Sequence, residues 1–324
     1  MNDAGKLTVR FRGVRGSIPA PAPENMRYGG NTSCVELRYA DQLLILDAGS
    51  GIRLLGDELI QTASDHAIEA SLLLSHSHWD HIQGLPFFTP GYDPKNRITI
   101  FGACGQGDQL QLALISQMTP AHFPVDLKQM RGLQPVRELS RGATNLGEFV
   151  VRTVQLNHPG GCTGFRIECP AGHVAYLPDH EPYRNDSADH NGYATASERE
   201  IVEFVRGVDL LVLDTQYTGR EYANRVGWGH GCLPDSVRLA IHAGVRRLFL
   251  FHHDPAHDDD QIDDMIETAR TAAAGTPLVI DGASEHEVIS LPAPNLAAIP
   301  MIGFSQLAQG IPTLPSPTPV KNAV

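Results

Sequence analysis

The sequence His76-Ser77-His78-Trp79-Asp80-His81 follows an apolar run of three leucines, Leu72–Leu74, after one serine. In an extended chain alternate side chains share one face, so His76 and His78 point the same way and both imidazoles reach one metal ion. The turn that follows directs Asp80 and His81 towards a second position nearby. Imidazole suits zinc and similar metals, and a carboxylate accommodates a harder cation. This stretch therefore predicts a metal site with two neighbouring positions.

Apolar runs alternate with glycine-marked turns in the rest of the chain, and several of these runs end at a polar residue such as Asp47, Asp179 or Asp214. Strands that end in polar side chains, with helices between them, are typical of an α/β protein whose sheets are covered by helices. The predicted strands span 7–11, 34–39, 43–46, 68–74, 98–101, 149–156, 162–167, 173–177, 210–213 and 248–251. The predicted helices span 51–62, 109–117, 198–205, 236–243 and 259–273.

The composition is that of a globular protein, with 42% hydrophobic and 19% charged residues among 324. Its net charge of −12 disfavours adhesion to long nucleic acid or to an anionic membrane. No apolar run is long enough to span a bilayer, and residues 1–10 carry no apolar signal segment. Five cysteines without a C-x-x-C pair do not predict a disulfide framework. We therefore expect a soluble, cytoplasmic protein.

The last segment of the chain differs from the rest because seven prolines fall within residues 291–324. Proline removes backbone donors and blocks helices, so this segment is expected to be extended or disordered. We predict one hydrolase domain over residues 1–290 and a proline-rich tail over 291–324.

The pattern His-x-His-x-Asp-His at 76–81 resembles the signature of the metallo-β-lactamase superfamily, and the resemblance extends over about residues 7–290. It implies a four-layer αβ/βα sandwich in which two sheets lie between layers of helices. The metals of this family lie at the shared edge of the two sheets.

The same resemblance implies the remaining metal ligands. His158, which follows the strand at 149–156, matches the third ligand of the first metal, and Asp179 matches the carboxylate that bridges both metals. His252 ends the strand at 248–251 and matches the last ligand of the second metal. The implied ligand set is His76, His78, Asp80, His81, His158, Asp179 and His252.

Two alternatives remain within this ligand set. His252 and His253 are adjacent, and alternation lets only one of them face a metal. We favour His252, which occupies the strand-end position of the family, and leave His253 as a contact to a ligand or to the substrate. Asp214 also ends a strand and competes with Asp179 for the bridging position. We favour Asp179, which follows the His158 motif by one hairpin.

A second motif, Gly227-Trp228-Gly229-His230-Gly231, narrows the resemblance to the phosphodiesterase branch, which includes ribonuclease Z and cyclic-nucleotide phosphodiesterases. A Gly-His-Ser element stands at this position in that branch, and its histidine contacts the phosphate or protonates the leaving oxygen. His230 matches this histidine, whereas Gly231 replaces the usual serine. Cys232, the only candidate for the cysteine ligand of penicillin-hydrolysing relatives, is expected to be a small buried residue.

Glycines and polar residues at 29–32 form another candidate binding element. Asn31 and Thr32 offer donors beside two glycines, so this stretch either holds a phosphate or forms a tight turn. Arg15 and Arg53 are candidate anion contacts, although surface ion pairs are the commoner role of arginine.

The resemblance predicts a mechanism. Two divalent cations, of which Zn²⁺ is the first choice and Mn²⁺ and Fe²⁺ are alternatives, share Asp179 and a water and convert that water to a hydroxide nucleophile. Asp80 orients the hydroxide or takes its proton, and His230 protonates the leaving oxygen as a general acid. The predicted reaction is hydrolysis of a small, cyclic-nucleotide-like phosphodiester. Long RNA is not expected, because the chain has no clear basic run.

Two further functions compete with this prediction. The same metal pair supports ester or amide hydrolysis, as in a lactonase, a thioesterase or a β-lactamase. A non-catalytic metal-binding sensor module is the alternative of another class. The sequence does not define an oligomeric state, and a homodimer is considered only because dimers are common in the family.

Overall fold

The fold is known from a computed structural model that describes residues 5–63, 65–183 and 196–291. One seven-stranded sheet has the spatial order β14-β1-β2-β3-β4-β5-β6. Its strands are β1 (Leu7–Gly13), β2 (Cys34–Tyr39), β3 (Gln42–Leu46), β4 (Glu69–Leu73), β5 (Arg97–Gly102), β6 (Leu133–Glu138) and β14 (Val288–Leu291).

The second seven-stranded sheet is built from the later part of the chain and has the order β13-β12-β11-β10-β9-β8-β7. Its strands are β7 (Ala143–Leu146), β8 (Phe149–Leu156), β9 (Cys162–Cys169), β10 (Gly172–Leu177), β11 (Leu210–Asp214), β12 (Arg247–Phe251) and β13 (Val279–Gly282).

Helices cover the outer faces of both sheets. The described helices are α1 (Ile52–Ala63), α2 (Trp79–Ile82), α3 (Gly107–Gln117), α4 (Ala196–Phe204), α5 (Gly219–Tyr222), α6 (Leu233–His242) and α7 (Asp259–Ala272). Apolar residues of α1 and α3, such as Leu55 and Leu114, pack on the first sheet. The buried faces of α4, α6 and α7 pack on the second sheet. Apolar side chains at helical spacing bury one face of each of these helices.

A third apolar core lies between the two sheets and joins them. Phe11 of β1 and Phe249 of β12, both without solvent exposure, meet there among other buried apolar side chains with ring centroids 5.0 Å apart. Burial of this kind contributes about 25 cal/mol for each Å² of apolar surface removed from water. The order helix, sheet, sheet, helix is the four-layer αβ/βα sandwich, and the prediction of this fold is confirmed.

The direction of the strands gathers polar residues at one edge of the sandwich. Strands β3, β4 and β5 are parallel, as are β10, β11, β12 and β13, so their carboxyl ends meet at the same side of each sheet. Loops that follow carboxyl ends of parallel strands form the usual binding crevice of α/β proteins.

The predicted strands at 34–39 and 149–156 match β2 and β8 in full, and each of the other predicted elements overlaps an observed one. Strands β6, β7, β13 and β14 were not predicted. Leu291, the first residue of the predicted tail, pairs with Leu7 in the first sheet, and the division into a domain and a tail stays a prediction. The rest of the predicted tail lies outside the described residues. No described helix combines the length and the apolar character that crossing a bilayer requires.

Candidate metal centre

The structure brings all seven predicted ligands together at the shared edge of the sheets. Their donor atoms form two overlapping groups in which the atoms lie within 4.8 Å of one another. The first group contains His76, His78, His158 and Asp179. The second group contains Asp80, His81, Asp179 and His252. Asp179 is common to both.

The first group places three imidazoles around one carboxylate oxygen. Nε2 of His158 lies 2.9 Å from Nδ1 of His78. Oδ2 of Asp179 lies 3.7 Å from Nε2 of His76 and 3.6 Å from Nε2 of His158. Three nitrogens and one oxygen therefore converge on a single small space, as in a tetrahedral metal site.

The second group uses the other oxygen of the same aspartate. Oδ1 of Asp179 lies 3.0 Å from Nε2 of His81 and 3.4 Å from Nε2 of His252. Oδ2 of Asp80 approaches the same two nitrogens, at 3.3 and 3.1 Å. Asp179 thus turns one oxygen towards each group, which is the arrangement that a bridging carboxylate needs.

Buried donor atoms that lack hydrogen bonds indicate which kind of ligand the two groups can bind. Nε2 of His76, Nε2 of His81 and Oδ1 of Asp179 are buried and make no hydrogen bond of acceptable geometry among the described residues, although the last two atoms lie 3.0 Å apart. Leaving such atoms unpaired costs about 1–3 kcal/mol each. Imidazole nitrogens and carboxylate oxygens in this arrangement fit divalent cations, and bound cations would satisfy these atoms.

The pKa values of these side chains reflect their mutual interactions. Burial, together with repulsion from His81, lowers the pKa of His76 well below its usual value and keeps the imidazole neutral. Burial opposes ionisation of Asp179, but attraction from His252, His81 and His76 outweighs it and holds the pKa well below the usual range. Burial likewise opposes charging of His252, yet Asp179 and Asp80 raise its pKa to about 9. The carboxylates remain ionised, as cation binding requires.

Asp47, at the end of β3, orients the second group and was not predicted as a site residue. Its fully buried carboxylate accepts hydrogen bonds at 2.8 Å from Nδ1 of His81, the hydroxyl of Tyr176 and the hydroxyl of Ser75. The bond to His81 directs Nε2 of that ring towards Asp179. The only signal in the sequence is the position of Asp47 at a strand end.

Similar contacts fix the rings of the first group. Nδ1 of His76 donates to the hydroxyl of Ser75 at 3.0 Å, because that hydroxyl proton is already donated to Asp47. Nδ1 of His158 donates to the carbonyl of Gly229 at 2.8 Å. Both rings therefore present Nε2 to the shared space.

Two residues of the site, Asp47 and His252, are held in the left-handed backbone region, where non-glycine residues are uncommon. The φ angle is +61° at Asp47 and +60° at His252. Such conformations cost about 1–3 kcal/mol and cluster at functional sites, where the surrounding structure enforces them.

His230 lies beside both groups. Its Nδ1 atom lies 3.0 Å from Oδ2 of Asp214, and its ring stacks on that of His252 at 5.0 Å. Asp214 also accepts the backbone N–H groups of His180 and Gln216, at 3.1 and 3.0 Å. The carboxylate of Asp214 is thus occupied by His230 and by backbone donors, whereas that of Asp179 lies between the two donor groups.

The glycine that replaces the usual serine after His230 has a steric cause. A Cβ atom on Gly231 would lie 1.9 Å from the carbonyl oxygen of Asp214. No larger residue fits this backbone without a shift, so the substitution reflects close packing of the loop against β11 and leaves the imidazole of His230 in place. Cys232 is buried, as expected.

Three further predicted contacts have internal partners and join neither donor group. Nε2 of His253 lies 3.0 Å from the carbonyl oxygen of Ala283, and this residue is buried. The amide nitrogen of Asn31 donates to Glu285 at 2.8 Å. The hydroxyl oxygen of Thr32 accepts from the backbone N–H of Ser50 at 2.8 Å. Of the two interpretations of the 29–32 stretch, the structure therefore favours the tight turn.

The two arginines considered as anion contacts are also used elsewhere. Arg15 is completely buried and donates to the carbonyl oxygens of Gly29 and His257, at 2.8 and 2.6 Å. Arg53 lies on the surface and pairs with Asp57 at 3.1 Å.

Sequence comparison with known proteins identifies the same family that the histidine and aspartate motif resembles. The family model "Beta-lactamase superfamily domain" matches residues 44–253. Ribonuclease Z from Thermoplasma acidophilum is 24% identical over 304 residues, covering 82% of this chain and 92% of that protein.

Two solved structures share the fold. Unliganded yeast PDE1 has a TM-score of 0.63 at 16% identity, with 88% of this chain and 99% of that chain covered. The metallo-beta-lactamase fold protein YhfI from Bacillus subtilis has a TM-score of 0.61 at 19% identity and the same coverage. With its family match over residues 44–253 and its converging histidines and aspartates, this chain belongs to the metallo-β-lactamase superfamily.

Proposed function

We propose that this protein is a dinuclear metal-dependent hydrolase of small phosphodiesters, with a cyclic nucleotide or a closely similar molecule as substrate. The observation that carries the proposal is the Asp214–His230 pair beside two donor groups that share Asp179. A general acid beside a metal pair is what cleavage of a phosphodiester with a poor leaving group requires.

In this proposal His76, His78, His158 and Asp179 hold one cation, and Asp80, His81, Asp179 and His252 hold the other. When bound, the cations supply a water of lowered pKa and positive charge for the phosphoryl oxygens. Five imidazoles in the set favour Zn²⁺, and Mn²⁺ and Fe²⁺ are the metals to be compared with it.

In the proposed reaction Asp80 is the residue that orients the attacking water or accepts its proton, and His230 is the proton donor. Oδ2 of Asp80 accepts the backbone N–H of Ser17 at 2.8 Å, which fixes the carboxylate so that it orients the attacking water or takes its proton. Asp214 accepts the Nδ1 proton of His230, so the opposite nitrogen, Nε2, is available for transfer. A protonated His230 then donates from Nε2 to the departing oxygen.

The rim of the site supports a substrate that carries a planar base. The two tryptophans of the chain are 69% and 60% exposed: Trp79 directly follows His78 in the sequence, and Trp228 stands two residues before His230. The guanidinium carbon of Arg225 lies 5.8 Å from the ring centroid of Trp228 and 4.8 Å from that of Tyr217. Exposed aromatic rings stack on nucleobases, and a guanidinium held on aromatic rings attracts an anion.

RNA is the second candidate substrate, because the relatives named ribonuclease Z align over most of this chain. This similarity weakens the argument from net charge, since a total of −12 does not exclude a local basic surface. Hydrolysis of lactones, thioesters or β-lactams, and a sensor role without turnover, are the competing functions that an assay must distinguish from phosphodiester cleavage.

One assay separates these functions. The purified protein, loaded in turn with Zn²⁺, Mn²⁺ and Fe²⁺, is tested on 3′,5′-cyclic nucleotides, bis-p-nitrophenyl phosphate, a structured RNA and a panel of lactones, thioesters and β-lactams. The proposal predicts the highest kcat/KM for a small phosphodiester. A higher value for RNA or for a carbonyl substrate would overturn it, and no turnover with any metal would favour the sensor role.

A further inference from the structure

Glu181 is a buried carboxylate that none of the proposed catalytic steps uses. It follows β10 by four residues and lies two residues beyond Asp179, with 6% of its surface exposed. Its backbone is tied to the loop after β8, because Glu181 N–H donates to the carbonyl of Asn157 at 2.9 Å and the Asn157 amide donates back to the Glu181 carbonyl at 3.0 Å. A carboxylate buried in this way needs donors of its own.

Those donors come from the segment that leads to His230. Oε1 of Glu181 accepts the hydroxyl of Tyr222 at 2.6 Å and the backbone N–H of Gly227 at 2.7 Å. Oε2 accepts the backbone N–H of Gly229 at 2.8 Å. One carboxylate therefore fixes the end of α5 and two backbone positions of the loop that follows.

The carboxylate adds to the other bonds of this loop, such as the one from the Trp228 N–H to the Arg225 carbonyl at 3.1 Å, and it holds both of the loop's glycines. Gly227 and Gly229 have φ angles of +87° and +88°, a region that glycine enters freely and other residues rarely adopt. Trp228 between them is 60% exposed. Without the carboxylate, two flexible glycines would precede His230.

Gly229 also connects this anchor to the first donor group. Its N–H is bound by Glu181, and its carbonyl oxygen accepts Nδ1 of His158 at 2.8 Å. A Cβ atom on Gly229 would lie 2.4 Å from that nitrogen. The same short segment thus sets the orientation of His158 and the position of His230.

We propose that Glu181 is a positioning residue that holds the 227–231 loop so that His230 reaches the leaving oxygen of the substrate. The inference rests on the proposed role of His230 as general acid. Glu181 belongs to neither donor group of the site, and it acts through the backbone of Gly227 and Gly229. The inference therefore concerns protonation of the leaving group and not the attack on phosphorus.

The test uses substrates that share one nucleoside 5′-phosphoryl part and differ only in the leaving alcohol, from p-nitrophenol to ethanol. A p-nitrophenolate ion departs without protonation, whereas an alkoxide requires a general acid. Glu181→Gln keeps the shape but replaces one acceptor oxygen with an NH₂ group that faces backbone donors. We expect kcat/KM to fall about 10- to 100-fold for the ethyl ester, part of the 10²- to 10⁴-fold that general-acid catalysis supplies. The fall for the p-nitrophenyl ester should stay within about 3-fold.

Two reference variants show whether an effect of Glu181→Gln arises from loss of general-acid catalysis. His230→Ala defines the leaving-group dependence of an enzyme without its general acid, and Glu203→Gln repeats the chemical change on an exposed side chain of α4 that pairs with Arg206. Glu203→Gln should match the unmodified protein on all substrates. All assays are run at saturating metal, with melting temperature and metal content measured for each variant.

Each outcome decides a separate claim. If Glu181→Gln lowers the rate equally for all leaving groups, or not at all, while His230→Ala shows the selective loss, Glu181 does not position the acid. If His230→Ala itself shows no selective loss, the proposed role of His230 fails first. Should Glu181→Gln fail to fold, Tyr222→Phe removes one of the three hydrogen bonds to the carboxylate, and a smaller selective loss is expected. A Tyr222→Phe protein without that selectivity would overturn the inference.

Discussion

Oδ2 of Asp214 lies 3.0 Å from Nδ1 of His230, and the carboxylate has no solvent exposure. Two backbone N–H groups, from His180 and Gln216, hold the same carboxylate in place. The pair therefore fixes the ring of His230 with Nε2 free, as a proton donor to the substrate requires.

Replacing Asp214 by asparagine should remove this control of the imidazole. The amide introduced by Asp214→Asn supports the wrong ring tautomer, so we expect kcat for an alkyl phosphodiester to fall about 10²-fold or more, while KM changes little. Steady-state kinetics on the alkyl and p-nitrophenyl esters measure this effect. Asp57→Asn, on the surface of α1, serves as the matched control. Equal losses for both esters would show that Asp214 does not act through His230.

Asp47 should control metal affinity without touching a cation. Asp47→Asn weakens the acceptor that orients His81, and the loss of such a contact typically lowers metal affinity 10- to 100-fold. Competition titration with a chromophoric chelator gives the dissociation constants of the two metals separately. We expect the weaker binding at the position that includes His81. An unchanged pair of constants would contradict this role.

Metal affinity should also depend on pH, because protons and cations compete for His252. Asp179 and Asp80 raise its pKa to about 9 in the metal-free protein, so the ring is protonated at neutral pH and binding must displace that proton. As the pH falls below about 9, apparent affinity should weaken about tenfold per unit for each proton displaced. Titrations at pH 6, 7 and 8 measure the slope. Dissociation constants that do not change with pH would show that metal binding displaces no proton from His252.

Trp228 should affect binding of the base and leave the chemical step intact. Stacking contributes about 1–3 kcal/mol for each base, so Trp228→Ala should raise KM for a cyclic nucleotide about 5- to 150-fold. A ribose cyclic phosphate without a base should show no such increase. Leu112→Ala removes a side chain of similar exposure on α3, where it is 65% exposed, and serves as the control. Equal changes in KM for both substrates would rule out stacking on this ring.

The strands that the sequence predicts lie inside the sheets, and the four that it misses are the edges. Strands β14 and β6 flank the first sheet, and β13 and β7 flank the second. Inner strands such as β11 and β12 are buried along nearly their whole length and read as continuous apolar runs, whereas β7 has an alternating exposed pattern and β6 contains a proline. Edge strands are defined by pairing with distant segments, as β14 is by β1, and local sequence does not encode that pairing.

The same difference, between features encoded by local sequence and features set by distant contacts, applies to the site. His76, His78, Asp80 and His81 stand in one local motif, whereas the family resemblance assigned the other three ligands, His158, Asp179 and His252, which follow strand ends. The contacts of Asp47 to His81 and of Glu181 to Gly229 join side chains or loops whose orientation depends on the packing of two sheets. The glycine at 231 illustrates the same limit, because its close approach to Asp214 becomes visible only in three dimensions.

The central claim is that Asp179 is shared between two bound cations, and elemental analysis of purified protein tests it most directly. The unmodified protein, dialysed against Zn²⁺ and then freed of excess metal, is compared with Asp179→Asn and with the surface variant Asp57→Asn. We expect two equivalents of metal per chain in the unmodified and Asp57→Asn proteins, and fewer than one in Asp179→Asn. A folded unmodified protein that retains no metal, or an Asp179→Asn protein that retains both equivalents, would contradict the account.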